Sequence, residues 1–233
     1  MRADLLKELN ALRAERQAVV VITNTADGRQ TVLSGDDLNA EQLNQHPLGG
    51  EIAARLKSGK SGMLELEGSE HFLQLHVPPL RMVVIGAVHI SQALAPMALS
   101  CGYDLHIIDP RTAFASPERF IGVNLQAEWP QEVLSEGSLD PFTALAALTH
   151  DPKIDDFPLQ AALDAGCFYV GALGSRKTHA KRVERLKNNG LSDAQLARIK
   201  APIGLNIGAA TPQEIAVAVM AQVIEAQRVG EGS

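Results

Sequence analysis

The sequence predicts an α/β fold: a mostly parallel sheet with helices on both faces, preceded by a smaller N-terminal α+β domain. From Met82 onward, short apolar runs alternate with helical patterns, as in βαβ units whose strands are covered on both sides. Before that point the strands alternate and are joined by short turns. Between the two patterns stands Pro78-Pro79, where neither ring can donate to a ladder and both stiffen the chain. Two domains are therefore expected, residues 1–79 and 80–233.

In the first domain Leu5, Leu6, Leu9 and Leu12 recur at helical spacing, in a start (Met1-Arg2-Ala3-Asp4) that has no apolar signal core. Ala18–Ile22 reads as a strand, Asp27-Gly28 as a hairpin turn and Gln30–Leu33 as the returning strand. A helix near Gly50–Lys57 leads to two alternating strands, Gly62–Leu66 and His71–His76, joined by Glu67-Gly68-Ser69-Glu70.

In the second domain strands are expected near Met82–Ile85, Asp104–Ile108, Gly122–Leu125, Thr143–Leu148, Phe168–Ala172 and Ile203–Asn206. Helices are expected near Ile90–Cys101, Gln131–Ser135, Leu159–Ala165, Lys177–Asn189, Asp193–Ile199 and Pro212–Arg228. The last has the clearest start, with Thr211 as N-cap, Pro212 at the first helical position and Glu214 completing a capping box. Pro96 should kink the Ile90–Cys101 helix or shift its start.

The 233 residues are 45% hydrophobic and 21% charged, enough for a real core. Net charge is −6, and the cations are scattered except over Arg176–Lys187, so no nucleic-acid partner is expected. No segment has the roughly 18 apolar residues of a membrane span, which makes the cytoplasm the expected compartment. Cys101 and Cys167 have apolar surroundings and no metal-ligand spacing; they read as reduced, buried and unreactive thiols, and no metal site is expected.

Gly171-Ala-Leu-Gly174-Ser175-Arg176-Lys177-Thr178-His179 follows the apolar run Phe168-Tyr169-Val170 and opens a basic helix. Unpaired N–H groups at the helix start, the positive end of the dipole and the Arg176 guanidinium suit an anion such as phosphate. The same residues also fit an ordinary βα turn before a solvated helix. Val83-Val84-Ile85-Gly86-Ala87-Val88-His89-Ile90-Ser91 stands where a Rossmann-like domain carries its first strand and glycine-rich turn. Only the first glycine, Gly86, is present. Val88 and Ser91 occupy the places of the second and third, which disfavours NAD(P). Asp109 stands about 20 residues downstream, where a ribose-binding acid belongs, although Asp-Pro is also a common turn.

Further along, Leu148-Thr149-His150-Asp151-Pro152-Lys153 precedes Asp155-Asp156. Pro202-Ile203-Gly204-Leu205-Asn206-Ile207-Gly208-Ala209 precedes Thr211-Pro212-Gln213-Glu214. Together with the two segments above, these resemble the XdhC/CoxI family of accessory proteins for molybdenum hydroxylases, over about Leu80 to Gln227. The resemblance implies a C-terminal Rossmann domain, and a protein that binds molybdenum cofactor, protects it during sulfuration and delivers it to a hydroxylase such as xanthine dehydrogenase. It implies an apo-hydroxylase as partner, with a cysteine desulfurase and a second copy of the chain as further candidates. Residues 1–80 have neither the Gly-Ser-Ser-Pro-Arg-like loop nor the Gly-Gly-Cys segment usual in that family, and Asn206 stands where the family has aspartate.

The expected cofactor-binding set is Gly86, His89, Asp109, His150, Asp151, Gly171, Gly174, Ser175, Arg176, Lys177, Gly204, Asn206 and Gly208. His150, Asp151 and the Pro202–Ala209 loop enter it because they follow strand ends, where open α/β sheets bind ligands. Each also has a plain structural reading, as a turn residue or a shaper of the helix entry. No serine, cysteine or carboxylate motif pairs a nucleophile with a base, so a binding protein fits better than a hydrolase. An NAD(P)-dependent oxidoreductase and a regulatory module without ligand remain as alternatives.

Overall fold

Three consecutive valines and an isoleucine make the stiffest strand of the N-terminal part, β1 (Val19–Asn24), and its position is central. A computed structural model describes residues 3–66, 68–135 and 137–229; Met1 and Arg2 of the expected first helix, Glu67 of the expected turn and the chain end at 230–233 lie outside them. The chain divides into two compact units, Met1–Pro78 and Pro79–Ser233.

The first unit runs α1 (Ala3–Ala14), β1, β2 (Gln30–Ser34), α2 (Ala40–Gln45), α3 (Gly49–Ser58), β3 (Gly62–Leu66) and β4 (Ser69–His76). Its strands are antiparallel in the order β2-β1-β4-β3. Side chains alternate across β1: Val20 and Ile22 pack with Leu43, Leu48 and Ile52, while Val19 and Val21 pack with Leu9. The sheet is therefore covered on both faces. Helix α2, which the sequence pattern did not reveal, is capped by the Asn39 side chain accepting from the Gln42 N–H at 2.9 Å.

The second unit runs β5 (Arg81–Ile85), α4 (His89–Ser100), β6 (Asp104–Ile108), β7 (Asn124–Gln126), α5 (Pro130–Val133), β8 (Thr143–Ala147), α6 (Pro152–Asp164), β9 (Tyr169–Ala172), α7 (Arg176–Asn188), α8 (Asp193–Ala197), β10 (Ile199–Lys200) and α9 (Pro212–Arg228). All pairings among these strands are parallel, in the order β7-β6-β5-β8-β9-β10. The strand order reverses between β5 and β8, as in a Rossmann domain, and ligands of such sheets bind at that reversal beyond the carboxyl ends. Met82 and Val84 face one core with Leu94, Val219 and Val223; Val83 and Ile85 face the other with Ile154, Leu159 and Leu186.

Several expectations need correction. The expected strand Ile203–Asn206 is a loop: Pro202 has no N–H to continue the ladder, and β10 ends at Lys200. Within that loop Ile203 N–H still donates to the Ala172 carbonyl at 3.2 Å, while Gly204 turns at φ +92°. Helix α6 begins at Pro152 rather than near Leu159, because Asp151 caps it by accepting from the Lys153 N–H, and Pro158 sits buried inside it. Strand β7 starts at Asn124, after Gly122 has turned the chain at φ +74°. Of the two outcomes expected for Pro96, a shifted start is not seen: α4 begins at His89 with Pro96 inside it. The Thr211–Glu214 capping box is present.

Of the two free cysteines, Cys167 is buried, and burial together with the Asp140 carboxylate pushes its thiol up to about 12. Cys101 is exposed, contrary to expectation, because it follows the last turn of α4 and leads into an exposed Gly102. Among the described residues no helix is long and apolar enough to cross a membrane.

Candidate functional site

The strand order brings the ends of β5 and β8 side by side, and Gly86 is what lets them meet. Its φ is +109°, and a Cβ there would stand 2.7 Å from Cγ2 of Thr149. In the turn after Gly86, Ala87 N–H donates to Asp109 Oδ2 at 2.7 Å, and the buried Ser91 hydroxyl donates back to the Gly86 carbonyl. Ser91 thus closes by its own side chain a turn that a third glycine would leave open. His89 is exposed at the first position of α4.

Asp109 is fully buried and turned into this turn rather than toward the crevice. Its Oδ1 accepts from the backbone N–H and Nε of Arg111, both at 2.9 Å, and its Oδ2 accepts from Arg111 Nη2 at 2.8 Å as well as from Ala87. Burial alone would raise the carboxyl. The Arg111 and Ala87 hydrogen bonds outweigh it and hold the group below its usual range. All four strong acceptor directions are used, which leaves little capacity for a ribose hydroxyl.

Beyond β8, Thr149 and His150 are held by Asp155 in the first turn of α6. The Asp155 carboxylate accepts from Thr149 Oγ1 at 2.7 Å and from the His150 N–H at 3.0 Å. Burial pushes Asp155 up to about 6, against the Thr149 bond and the nearby Arg182 charge. Under this hold His150 adopts φ +67°, a left-handed conformation uncommon for a residue with a side chain. Burial and the Arg182 charge both depress its pKa. Asp151 caps its own helix.

The Gly171–Thr178 segment divides into three structural roles. Gly171 lies inside β9, where a Cβ would meet Tyr169 Oη at 2.5 Å and Ile203 Cδ1 at 2.7 Å; its job is close packing of the loop after β10. Gly174 turns at φ +134° beside His150, whose Nδ1 would be 3.7 Å from a Cβ placed there. Ser175 caps α7, with its hydroxyl accepting from the Thr178 N–H at 3.2 Å. That leaves the N–H groups of Arg176 and Lys177, at the first two helical positions, without an intrahelical partner.

Helix α7 starts between two cavities, and the expected basic residues part at this point. Arg176 lines a cavity of about 370 Å³ with Gly204, Asn206 and Gly208 of the Pro202–Ala209 loop; no carboxylate lines it. Gly204 is fixed there by its N–H donating to Gln222 Oε1 at 2.8 Å, and Gln222 Oε1 also accepts from Tyr169 Oη. Lys177 lines a second cavity, of about 330 Å³, with His150, Thr178, Lys181, Arg182 and Arg185. The structure thus joins Gly86 to the Thr149-His150 loop, His150 to Gly174 and Lys177, and Arg176 to the Gly204–Gly208 loop. It keeps Gly171 in the core and Asp109 beneath the first turn.

Sequence reasoning passed over Asp155 and Arg182. Arg182 was the findable one: it lies four residues before the buried Leu186, on the face of α7 that packs against the sheet.

A family model described as the XdhC Rossmann domain matches residues 82–223. The molybdenum cofactor insertion chaperone PaoD of Escherichia coli (strain K12) is 34% identical over 146 residues, 63% of this chain and 40% of that protein. A Bacillus subtilis (strain 168) protein, named as a probable xanthine dehydrogenase subunit, is 30% identical over 158 residues, 67% of this chain and 46% of that protein. The matched part thus spans less than half the length of these curated relatives. A crystal structure described as a xanthine dehydrogenase from Bacillus halodurans has a TM-score of 0.58 at 20% identity, covering 98% of this chain and 81% of that one, a likeness of fold. The chain belongs to the family of the XdhC Rossmann domain.

Proposed function

We propose that this protein is an accessory factor that binds molybdenum cofactor and hands it to a molybdenum hydroxylase, in the cytoplasm. The observation that carries this reading is the cavity beyond β9 and β10. It has the size of a small-molecule site, one guanidinium and no carboxylate, and it lies at the carboxyl edge of the sheet of an XdhC-type Rossmann domain. The residues present suit a phosphorylated pterin. Arg176, through its guanidinium and its N–H at the first position of α7, would hold the phosphate, and the Asn206 amide and the loop backbone would hydrogen-bond the ring edges. The cofactor itself supplies the redox and oxygen-transfer chemistry once it is in the hydroxylase. This chain's part is to hold, orient and shelter it. The names of PaoD and of the Bacillus subtilis protein support the same role. Help with sulfuration, a cysteine desulfurase partner and a homodimer belong to the same proposal.

Transfer tests it. The chain loaded with cofactor should activate a cofactor-free molybdenum hydroxylase faster and to a higher yield than the same amount of free cofactor. Activation no better than that with an unrelated protein present would defeat the reading.

A further inference from the structure

We propose that the cavity on the His150 side of α7 is an oxyanion site, which binds a phosphate-class dianion on the buried guanidinium of Arg182. Arg182 is 2% exposed, and its Nη2 donates to the Leu173 carbonyl at 2.9 Å. Its Nε and Nη1 are buried and have no hydrogen-bond partner among the described residues. A buried cation with two idle donors is costly, so such a group persists where something else completes it. Asp155 acts on Arg182 through its charge only: its oxygens accept from Thr149 and His150, and Arg182 Nε and Nη1 donate to neither. Asp156 is bound through both oxygens to Arg185, at 2.6 and 3.0 Å.

What remains around the cavity is cationic. Lys177 and Lys181 line it from the first turns of α7, Thr178 and His150 line it between them, and no carboxylate is among its lining residues. The helix start adds its dipole and the N–H of Lys177. Several donors converging on a compact space suit a tetrahedral dianion, which has acceptor oxygens on every side, better than a planar carboxylate. This site stands apart from the Arg176 cavity proposed for the pterin, and it needs no cofactor to be tested. Two sources carry such a phosphate: a further phosphate group of the cofactor, beyond the one held by Arg176, or another phosphate compound.

Calorimetric titration of the full chain with inorganic phosphate, at constant ionic strength in chloride, reads the site directly. Saturable binding below about 1 mM is expected in the parent. Arg182→Met should weaken it at least tenfold, while Tm in phosphate-free buffer stays equal or rises, because an uncompensated buried cation is gone. Should Arg182→Met not fold, the exposed pair Lys177→Ala and Lys181→Ala carries the test, with affinity falling at least fivefold and Tm unchanged. Absence of saturable binding in the parent overturns the proposal, as does parental affinity in Arg182→Met or, if that variant does not fold, in the lysine pair. A parallel arm measures cofactor retention. Loss of both ligands in Arg182→Met, or in the lysine pair, assigns the phosphate to the cofactor; loss of inorganic phosphate alone assigns it to a separate phosphate compound. Phosphate binding without any cofactor binding upholds this site and defeats only the cofactor reading.

Discussion

The methyl group of Thr149 stands 2.7 Å from where a Cβ on Gly86 would lie, so the two strand ends flanking the sheet's reversal point touch through the absence of one side chain. Gly86→Ala therefore meets both a clash and a φ of +109° that alanine tolerates poorly. A loss of about 2–4 kcal/mol is expected, or a Tm lower by roughly 5–15 °C. Adding Thr149→Ser removes the methyl but keeps the hydroxyl that bonds Asp155, and should restore part of the loss. Thermal unfolding of the two variants checks this, and parental stability in Gly86→Ala would contradict it.

NAD and NADP should bind more weakly than about 1 mM, a level worth only about 4 kcal/mol. Val88 and Ser91 take the places of two glycines. The Ala87 N–H, which a pyrophosphate would seek, is held by a buried carboxylate. Calorimetric titration decides, and micromolar affinity would revive the oxidoreductase alternative.

Stability should carry an imprint of Asp155 between about pH 4 and 6. Its folded pKa is raised to about 6, above the ordinary value near 3.8, so in that window the native state keeps a proton that the unfolded chain releases. The contribution of this group is therefore most favourable at the acid side, and it declines as pH rises through the folded pKa, by up to about 3 kcal/mol. Asp155→Asn removes this dependence. The depressed histidines His76, His150 and His179 push the opposite way but are common to both proteins. Urea unfolding from pH 4.5 to 7.5 should show the parent losing stability relative to the variant as pH rises. Parallel profiles would contradict the burial of an ionisable Asp155.

The fold was largely legible because its signals are local. The apolar runs of β5, β6, β8 and β9, the Asp27-Gly28 turn and the Thr211–Glu214 box each declare themselves within a few residues. Where two local rules competed, the reading slipped. Helix α6 is expected near Leu159–Ala165, but Asp151 and Pro152 start it about two turns earlier. The apolar Ile203–Asn206 segment looked like a strand although Pro202 ends the ladder before it.

The site was legible only in part, since its long-range partners leave no local trace. Nothing near Asp109 announces that the distant Ala87 N–H will complete the set begun by its neighbour Arg111. Nothing near Gly171 announces Ile203 against its face. Arg176 and Lys177 are adjacent in sequence, yet they line different cavities, because successive residues on a helix point about 100° apart.

Arg176 is the residue whose replacement separates ligand binding from fold in the proposed cofactor cavity. It is exposed, so Arg176→Ala should change stability by less than about 0.5 kcal/mol while weakening cofactor binding by about 1.5–3 kcal/mol. Arg176→Lys should recover only part, since an ammonium keeps the charge without the planar fork. Fluorescence titration with the phosphorylated pterin checks both, and parental affinity in both would remove Arg176 from the site.

The central claim, that this chain carries molybdenum cofactor, is tested most directly by what it retains after purification. The protein would be expressed in cells that make the cofactor, purified under reducing and oxygen-free conditions, and oxidised so that any pterin becomes fluorescent. The account predicts pterin approaching one equivalent per chain in the parent and much less in Arg176→Ala. Pterin no higher than in an unrelated protein purified the same way, across repeated preparations, would contradict it.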